Sequence, residues 1–524
     1  AMCLWSLAAL ICHLLATMQV ADGGKILTLS TMFAGSHDFI FDAIARRLVE
    51  AGHEIHYYRI QDVIVPHRHS DVYKIYNVPV EYAKYPHRFV TKANLSNPAF
   101  DLYWNQTASI SAVSYSFFTV AGPHCTVFLG NNELMAKFKK ESYDVMLLDQ
   151  GMNECNLAVA KVLDLPVVTF SVLPLLLESF RSTGFHANPA LVPVTSSCLA
   201  STAGFLDRMA NIYLHFLWEA MFHLYLYHAH HEIKRYVPDL TDIGELYETI
   251  EVVLCNPHPI VTVPIATTDQ IKFLGCVTCR EANPLPQNIS RFLDNENGSI
   301  VASFGFSGFK SEFVPNYLIH AFRKTFKKLD QNVLVRFDEG YFDGIDNVKA
   351  VSWLSQNDIL GHPRLKLMIS NCGISTAMEI VYHEVPVLCI PVGIDQDDNA
   401  VRLHSLGVAE ILDKRGLSSK ELHGMITAML EPSNYARYKQ NLAKYGYIIR
   451  NPEVKPVDRA LYWIELVIRE KRLGYQKTPL LSVPQTFLWD FYLFNLCLIV
   501  LFVYLVRKVS RLLCSSVFRK TKLE

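Results

Sequence analysis

The chain has 524 residues, with 49 Lys and Arg against 50 Asp and Glu and a formal net charge of -1. Half of it is hydrophobic and 19% is charged, which suits two or three domains with real cores and excludes a disordered chain. So even a charge balance argues against nucleic acid as a partner, since that needs a basic face, and a mean hydropathy of +0.16 leaves apolar residues for the two ends to absorb.

Ala1–Ala21 carry no charge and form an apolar run that closes on small residues at Ala21 and Gly23. Residues 1–23 read as a secretory signal peptide, the alternative being a buried hydrophobic helix. From Lys25 the stretch KILTLS predicts a strand, TMFAGSHD a loop, and Phe39–Glu50 a helix with Ile40, Phe41, Ile44 and Leu48 at helical spacing. Ala51-Gly52 stops that helix, and His53–Tyr58 begins a second strand, a βαβ opening. Further strands are expected at Tyr143–Leu148 and Val167–Ser171, around a helix at Leu157–Leu163. Phe205–Tyr227 is long, aromatic and poor in charge. It reads equally as a core helix or as a membrane-leaning helix beside a greasy acceptor pocket.

Residues 276–297 are rich in Pro and Asn and read as a linker between halves at 24–275 and 298–475. The second half predicts a strand at Ser299–Phe304, a helix at Val314–Leu329 and a strand at Asn332–Phe337. Strands near Val348–Ser352 and Leu367–Ile369, a helix at Ser375–Tyr382 and a strand at Val387–Ile390 follow. Strands alternating with helices twice over predict an α/β protein of two Rossmann-like domains facing a cleft, with ligands at the carboxyl ends of the strands.

Residues 487–506 are long and apolar enough for one transmembrane helix. The tail, 507–524, carries Arg507, Lys508, Arg511, Arg519, Lys520 and Lys522 against Glu524, which predicts a cytosolic tail and a lumenal body. Lys520 and Lys522 have the placement of a dilysine retrieval signal, the alternative being a plain basic tail. The expectation is a single-pass type I protein of the endoplasmic reticulum membrane, in contact with membrane lipid. Acceptor sequons at Asn94, Asn105, Asn288 and Asn297 agree with a lumenal, glycosylated body. Of 12 Cys, Cys3, Cys12, Cys497 and Cys514 lie at the membrane segments, and the others are scattered apart from Cys276 and Cys279. Most are expected as small core residues, with one or two disulfides whose pairing spacing does not assign. No metal is expected. His223, His228, His230, His231 and Glu232 scatter around a helix, and Asp395, Asp397 and Asp398 lack the Glu of an EF-hand.

The segments WLSQNDILGHP (Trp353–Pro363) and SNCGISTAMEIVYHEVPVLCIPVGIDQDDNA (Ser370–Ala400) resemble the donor-binding signature of the UDP-glycosyltransferases. PVDRALYWIELVIRE (Pro456–Glu470), the terminal span and the lysine-bearing tail resemble the animal UDP-glucuronosyltransferase branch, so that the likeness covers nearly the whole mature chain. It implies a GT-B fold, the acceptor held mainly by the first half and the UDP-sugar by the second. Trp353 then stacks on uracil, Gln356 bonds the nucleoside, and Glu379 accepts from the ribose. Asp395 and Gln396 hold the sugar hydroxyls. Gly373, Ser375 and Thr376 open a helix whose amides suit a diphosphate without a metal. His37, in Ala-Gly-Ser-His, falls where the family keeps its general base, and Asp149 where it keeps the carboxylate that orients that base. A His with a carboxylate partner suits removal of a hydroxyl proton near neutral pH.

The implied reaction is inverting transfer of glucuronate or glucose from a UDP-sugar, as co-substrate and with no cofactor, to a hydroxyl of a small lipophilic acceptor, a detoxifying chemistry. The chain departs from the pattern at Asn371, where His is usual, at Phe306, where Ser is usual, and at Ser355, where Pro is usual. Cys372 also stands where Gly is usual in the animal branch. Asn371 can donate a hydrogen bond but carries no positive charge toward the leaving UDP. Asn371 and Phe306 motivate an alternative, a catalytically silent member acting as a binding or heterodimer partner. A homo- or hetero-oligomer is compatible with either reading.

Overall fold

The computed structural model describes residues 23–30, 36–61, 70–79, 125–173, 182–195, 197–199, 204–263, 265, 267–305, 314–393, 395–475 and 481–520. The expected signal peptide up to residue 22, the sequons Asn94 and Asn105, Phe306 and the tail beyond residue 520 lie outside the described residues.

The first sheet has seven parallel strands: β1 (Lys25–Leu29), β2 (Glu54–Gln61), β3 (Lys74–Pro79), β4 (Val145–Asp149), β5 (Val167–Ser171), β6 (Ile250–Cys255) and β7 (Ile271–Phe273). Their order is β3-β2-β1-β4-β5-β6-β7. The second sheet has six: β8 (Ser299–Ser303), β9 (Asn332–Arg336), β10 (Val348–Val351), β11 (Leu365–Ser370), β12 (Val387–Cys389) and β13 (Ala409–Ile411), in the order β10-β9-β8-β11-β12-β13. Both orders double back beside their first strand, between β1 and β4 and between β8 and β11. Parallel strands covered on both faces need unbroken apolar runs. Accordingly β4, β5, β6 and β8 are buried at every position.

The helix Ser36–Glu50 lays Ile40, Phe41, Ile44, Ala45 and Leu48 against the first sheet. Gly52, at φ +95°, turns the chain into β2. The helix Pro456–Glu470, grouped by sequence with the second half, packs on the first. Its Ala460, Leu461, Ile464 and Val467 share a core with Ile40, Ile44 and Leu48. Arg47 Nε meets Asp458 at 2.5 Å, and Glu251 of β6 accepts from the Leu473 amide at 2.9 Å. The chain therefore crosses between the sheets twice.

Two expectations are corrected. The segment 276–297 is more than a linker. It contains the helix Gln287–Leu293, and Cys276 and Leu293 are buried in the second half's core. Proline at 286 cannot continue a helix but tolerates the position before one, so a Pro-rich stretch can still open one. Nor are most of the lumenal cysteines free: six pair, as Cys125–Cys155, Cys276–Cys279 and Cys372–Cys389, leaving Cys198 and Cys255.

The helix Trp489–Lys520 follows a short turn at Val483–Thr486. Its segment Trp489–Arg511 is 23 residues long, with a mean hydropathy of 2.0 and none of it buried. At 1.5 Å per residue that is about 34 Å, enough to cross a bilayer's apolar core.

Candidate active site

Chain reversal beside β1 and β8 leaves a crevice at the carboxyl end of each sheet, with His37 and Asp149 at the first and Asn371 and Gly373 at the second. In the first half, His37 lies in the opening turn of the helix that follows β1, and Asp149 is the last residue of β4. His37 Nδ1 is 2.5 Å from Asp149 Oδ2, and both side chains are largely buried. Burial pulls the imidazole pKa down, but the Asp149 carboxylate outweighs it, with smaller help from Asp395 and Asp38, and holds His37 above the ordinary 6.5. Asp149 is anchored in turn. Its carbonyl accepts from Asn153 Nδ2, Asn153 Oδ1 accepts from Asn156 Nδ2 at 2.7 Å, and Asn156 also reaches the Ser30 carbonyl at the end of β1.

In the second half Gly305 follows β8, and Asn371, Cys372 and Gly373 follow β11. Gly305 has φ +81°, and a methyl group there would stand 3.3 Å from Asn371 Nδ2. Asn371 is buried, and its Oδ1 accepts from Ser370 Oγ at 3.3 Å. Cys372 adopts the left-handed conformation, φ +60°, which a glycine adopts at less cost. Its bond to Cys389 ties this turn to the end of β12. Gly373 is the N-cap of the helix Ile374–His383 and brings no capping side chain. Ser375 and Thr376 lie in that first turn, the former half-buried and the latter buried.

One turn further on, Glu379 is buried beside Gln356, whose Nε2 donates to Glu379 Oε2 at 2.6 Å and to Thr376 Oγ1 at 3.0 Å. Desolvation pushes the Glu379 carboxyl up to about 7, against the pull of hydrogen bonds from Gln356 and Thr278. Asp395, also buried, accepts from Asn399 Nδ2 at 2.6 Å and from the Ile374 amide. Burial raises its pKa, partly countered by these bonds and by His37. The halves meet here through the Cys198 amide, which donates to Asp398 Oδ1 at 3.1 Å. Gln396 Oε1 accepts from the Val392 and Gly393 amides, at 2.9 and 3.2 Å, which orients its amide group.

Trp353 stands at the rim, 52% exposed. Phe39 of the first half stacks on it at 5.8 Å between centroids, and the Arg336 guanidinium lies 5.1 Å over its ring. Arg336 Nη1 also donates to the Gly305 carbonyl at 2.6 Å.

Sequence reasoning passed over Phe39, Thr278, Arg280 and Arg336. Arg280 grips Asp358 with both arms, at 2.7 and 3.1 Å, and Ser355 Oγ donates to the same carboxylate at 2.5 Å. The segment read as linker thus fixes the short helix Gln356–Leu360 beneath Trp353. Among the described residues no group of three His, Cys, Asp or Glu is placed to hold a metal. Of the remaining sequons, Asn288 and Asn297 are both exposed.

Known proteins resemble the chain in sequence and in fold. UDP-glucuronosyltransferase 2B17 of Homo sapiens is 28% identical, the match covering 89% of this chain and 88% of that protein. UDP-glucuronosyltransferase 2B33 of Macaca mulatta is 27% identical with the same coverage. Among solved structures, that of Phytolacca americana UGT2 complexed with UDP-2fluoro-glucose and pterostilbene superposes with a TM-score of 0.56 at 14% identity, covering 84% of this chain and 98% of that one. A Polygonum tinctorium UDP-glucosyltransferase gives 0.56 at 14% identity, over 86% and 99%. These neighbours identify the two facing sheets as a GT-B fold. The family described as "UDP-glucoronosyl and UDP-glucosyl transferase" matches residues 24–523, and the chain belongs to that family, as a glycosyltransferase enzyme.

Proposed function

We propose that the protein transfers a glycosyl group from a UDP-sugar to a hydroxyl of a small lipophilic acceptor, in one displacement that inverts the anomeric carbon. The observation that carries this reading is the buried His37–Asp149 pair at the first crossover, with His37 two residues before Phe39, which stacks on Trp353 of the second half. Asp149 fixes the ring through Nδ1, and Nε2 takes the acceptor proton as the oxygen attacks. Asp149 then stabilises the imidazolium. Base and donor approach the anomeric carbon from different halves of the cleft, which suits inversion.

In the second half Trp353 offers a face for uracil. Gln356 bonds the nucleoside and Glu379 accepts from the ribose. Asn371 and the first-turn amides near Gly373, Ser375 and Thr376 receive the diphosphate. Asp395 and Gln396 hold the sugar hydroxyls. UDP-sugar is a co-substrate, and no step here calls for a resident metal. The relatives' names favour glucuronate as the sugar. The silent alternative gains no support from the relatives, and the intact pair speaks against it.

We also propose a type I topology in the endoplasmic reticulum membrane. The segment Trp489–Arg511 spans the bilayer, the body is lumenal with glycans at exposed Asn288 and Asn297, and Lys520 and Lys522 lie in the cytosolic tail. Replacing Lys520 and Lys522 by Ser releases the protein from that compartment if they act as a retrieval signal.

The chemistry is tested by offering the protein in microsomes UDP-glucuronate, UDP-glucose and other UDP-sugars with a panel of phenols and steroids. Release of UDP with a glycosylated product is expected. Failure to consume any donor, together with no thermal stabilisation by UDP, returns the silent reading. UDP at 100 times its dissociation constant stabilises a binding fold by about 2.7 kcal/mol.

A further inference from the structure

The helix Phe205–Lys234 is apolar on two sides. Its buried side sets Trp218, Phe222, Tyr225, Leu226 and Ile233 into the core of the first half, with the polar Asn211, His215, Glu219 and Glu232 among them. Asn211 accepts from the Val194 amide at 2.9 Å and donates to the Val192 carbonyl at 2.8 Å, and His215 Nε2 lies 2.7 Å from that same carbonyl. The outward side is apolar. Leu206, Met209, Tyr213, Leu224 and Tyr227 are all at least half exposed. With Phe216 and Ala220 between them, successive members are three or four residues apart, which places them on one line down the helix. From Leu206 to Tyr227 the stripe runs about 32 Å, and the exposed His231 and Lys234 continue its line. An exposed apolar stripe of this length marks a contact surface.

Its neighbour indicates what covers it. Phe216, mid-stripe, packs against Phe487 at 6.0 Å and Trp489 at 5.1 Å, the aromatic residues that begin the terminal apolar helix. Aromatic residues at the head of a membrane span sit at the level of the lipid headgroups. The stripe's midpoint is therefore at that level too, and helices of 20–30 residues with one apolar face lie in the interface plane.

We propose that the outward face of Phe205–Lys234 rests on the bilayer surface as an interfacial helix, continuous with the membrane span. The inference depends on Trp489–Arg511 being that span. Lipid is favoured over a second copy of the chain because the stripe adjoins residues that themselves enter lipid. The arrangement also links bilayer to cleft. The buried side of the helix holds Val192, and six residues on the Cys198 amide donates to Asp398 Oδ1 at 3.1 Å, beside Asp395 and Gln396. The cleft's rim then lies close to the layer in which a lipophilic acceptor concentrates.

The test places a fluorescent amino acid, dansylalanine, singly at Met209, Tyr213, Leu498 or Lys328 of the full chain in phosphatidylcholine vesicles. Quenching by brominated phosphatidylcholine is compared with quenching by aqueous iodide. Probes at Met209 and Tyr213 are expected to lose most of their emission to the brominated lipid, to emit to the blue of the Lys328 probe and to resist iodide. Iodide quenching equal to that at exposed Lys328 overturns the proposal. Protection from both quenchers overturns it as well, because protein then covers the stripe. A Leu498 probe that escapes brominated lipid refutes the span itself, a failure distinct from that of the helix.

Discussion

At the first crossover a helix start and a strand end deliver two ionisable side chains, His37 and Asp149, joined at 2.5 Å. At the second, Gly305, Asn371 and Gly373 deliver backbone amides and one neutral side chain, and the ionisable Glu379 and Asp395 stand further along, both with burial raising their pKa. The same strand order thus carries two kinds of chemistry. The first half is equipped to move a proton, whereas the second is equipped to recognise a ligand already rich in charge, with the Arg336 guanidinium on the Gly305 carbonyl as the positive charge at that turn. Substitutions at His37 and Asp149 should therefore act on turnover and its pH dependence, and those at Trp353, Gln356 and Glu379 on donor affinity.

The largest expected effect is that of His37→Ala, which lowers turnover by about two to four decades and leaves UDP binding nearly unchanged. Steady-state kinetics checks the first and calorimetry the second. Asp149→Asn also lowers turnover greatly, and the double variant loses little beyond the worse single one, because the two act as a unit.

The pH profile sharpens the same division. His37 is held above 6.5, so its basic form is lost, and kcat/KM falls, as pH drops through that raised value. Asp149→Asn removes the main cause of the rise and leaves burial, so the acid limb moves to lower pH although the maximum falls. A limb that stays in place would detach the titration from this pair.

Glu379→Gln probes the other half. A carboxyl raised from 4.5 to about 7 costs the fold stability as pH rises through that window, and the cost stays constant above it. The variant is therefore expected to be more stable than wild type at pH 8, by at most about 3 kcal/mol, and no more stable near pH 4. Ribose hydroxyls donate best to the ionised form, so wild-type UDP affinity should rise from pH 6 to pH 8 while the variant's stays flat. Thermal unfolding and calorimetry at the two pH values decide both points.

The smallest effect is expected of Asn371→His. If the diphosphate contact limits the rate, a charge-assisted bond there raises turnover by about tenfold at most. A fall would mean that the contact with Gly305 needs the shorter amide.

What was legible in the sequence follows from periodicity. VMLLD and VVTFS read as buried parallel strands because apolar runs of that length have few other uses, and Ile40, Ile44 and Leu48 announced their helix by spacing. The short edge elements did not. Strand β3 is KIYNVP and β13 has three residues, too little pattern to detect. His37, Asp149, Trp353, Gln356 and Glu379 were named through the order of motifs; the structure sets His37 and Asp149 at the first crossover, whereas Trp353 and Gln356 follow the edge strand β10, with Gln356 bonded to Glu379. Arg336, Phe39 and Thr278 were missed because each matters through a partner distant in sequence. The same holds for Cys125–Cys155, 30 residues apart, and for Pro456–Glu470, whose apolar face does not say which sheet it covers. The stripe on Phe205–Lys234 left two readings open because composition alone does not tell the inward face from the outward one.

The division of labour between the halves is tested most directly by measuring the UDP dissociation constant of His37→Ala and Trp353→Ala side by side by calorimetry. Loss of the Trp353 ring is expected to weaken UDP by about tenfold or more, the worth of a stacking face, and loss of the His37 ring to change it less than about twofold. Equal weakening by the two would contradict the account, because the first half would then be holding the donor as well as moving the proton.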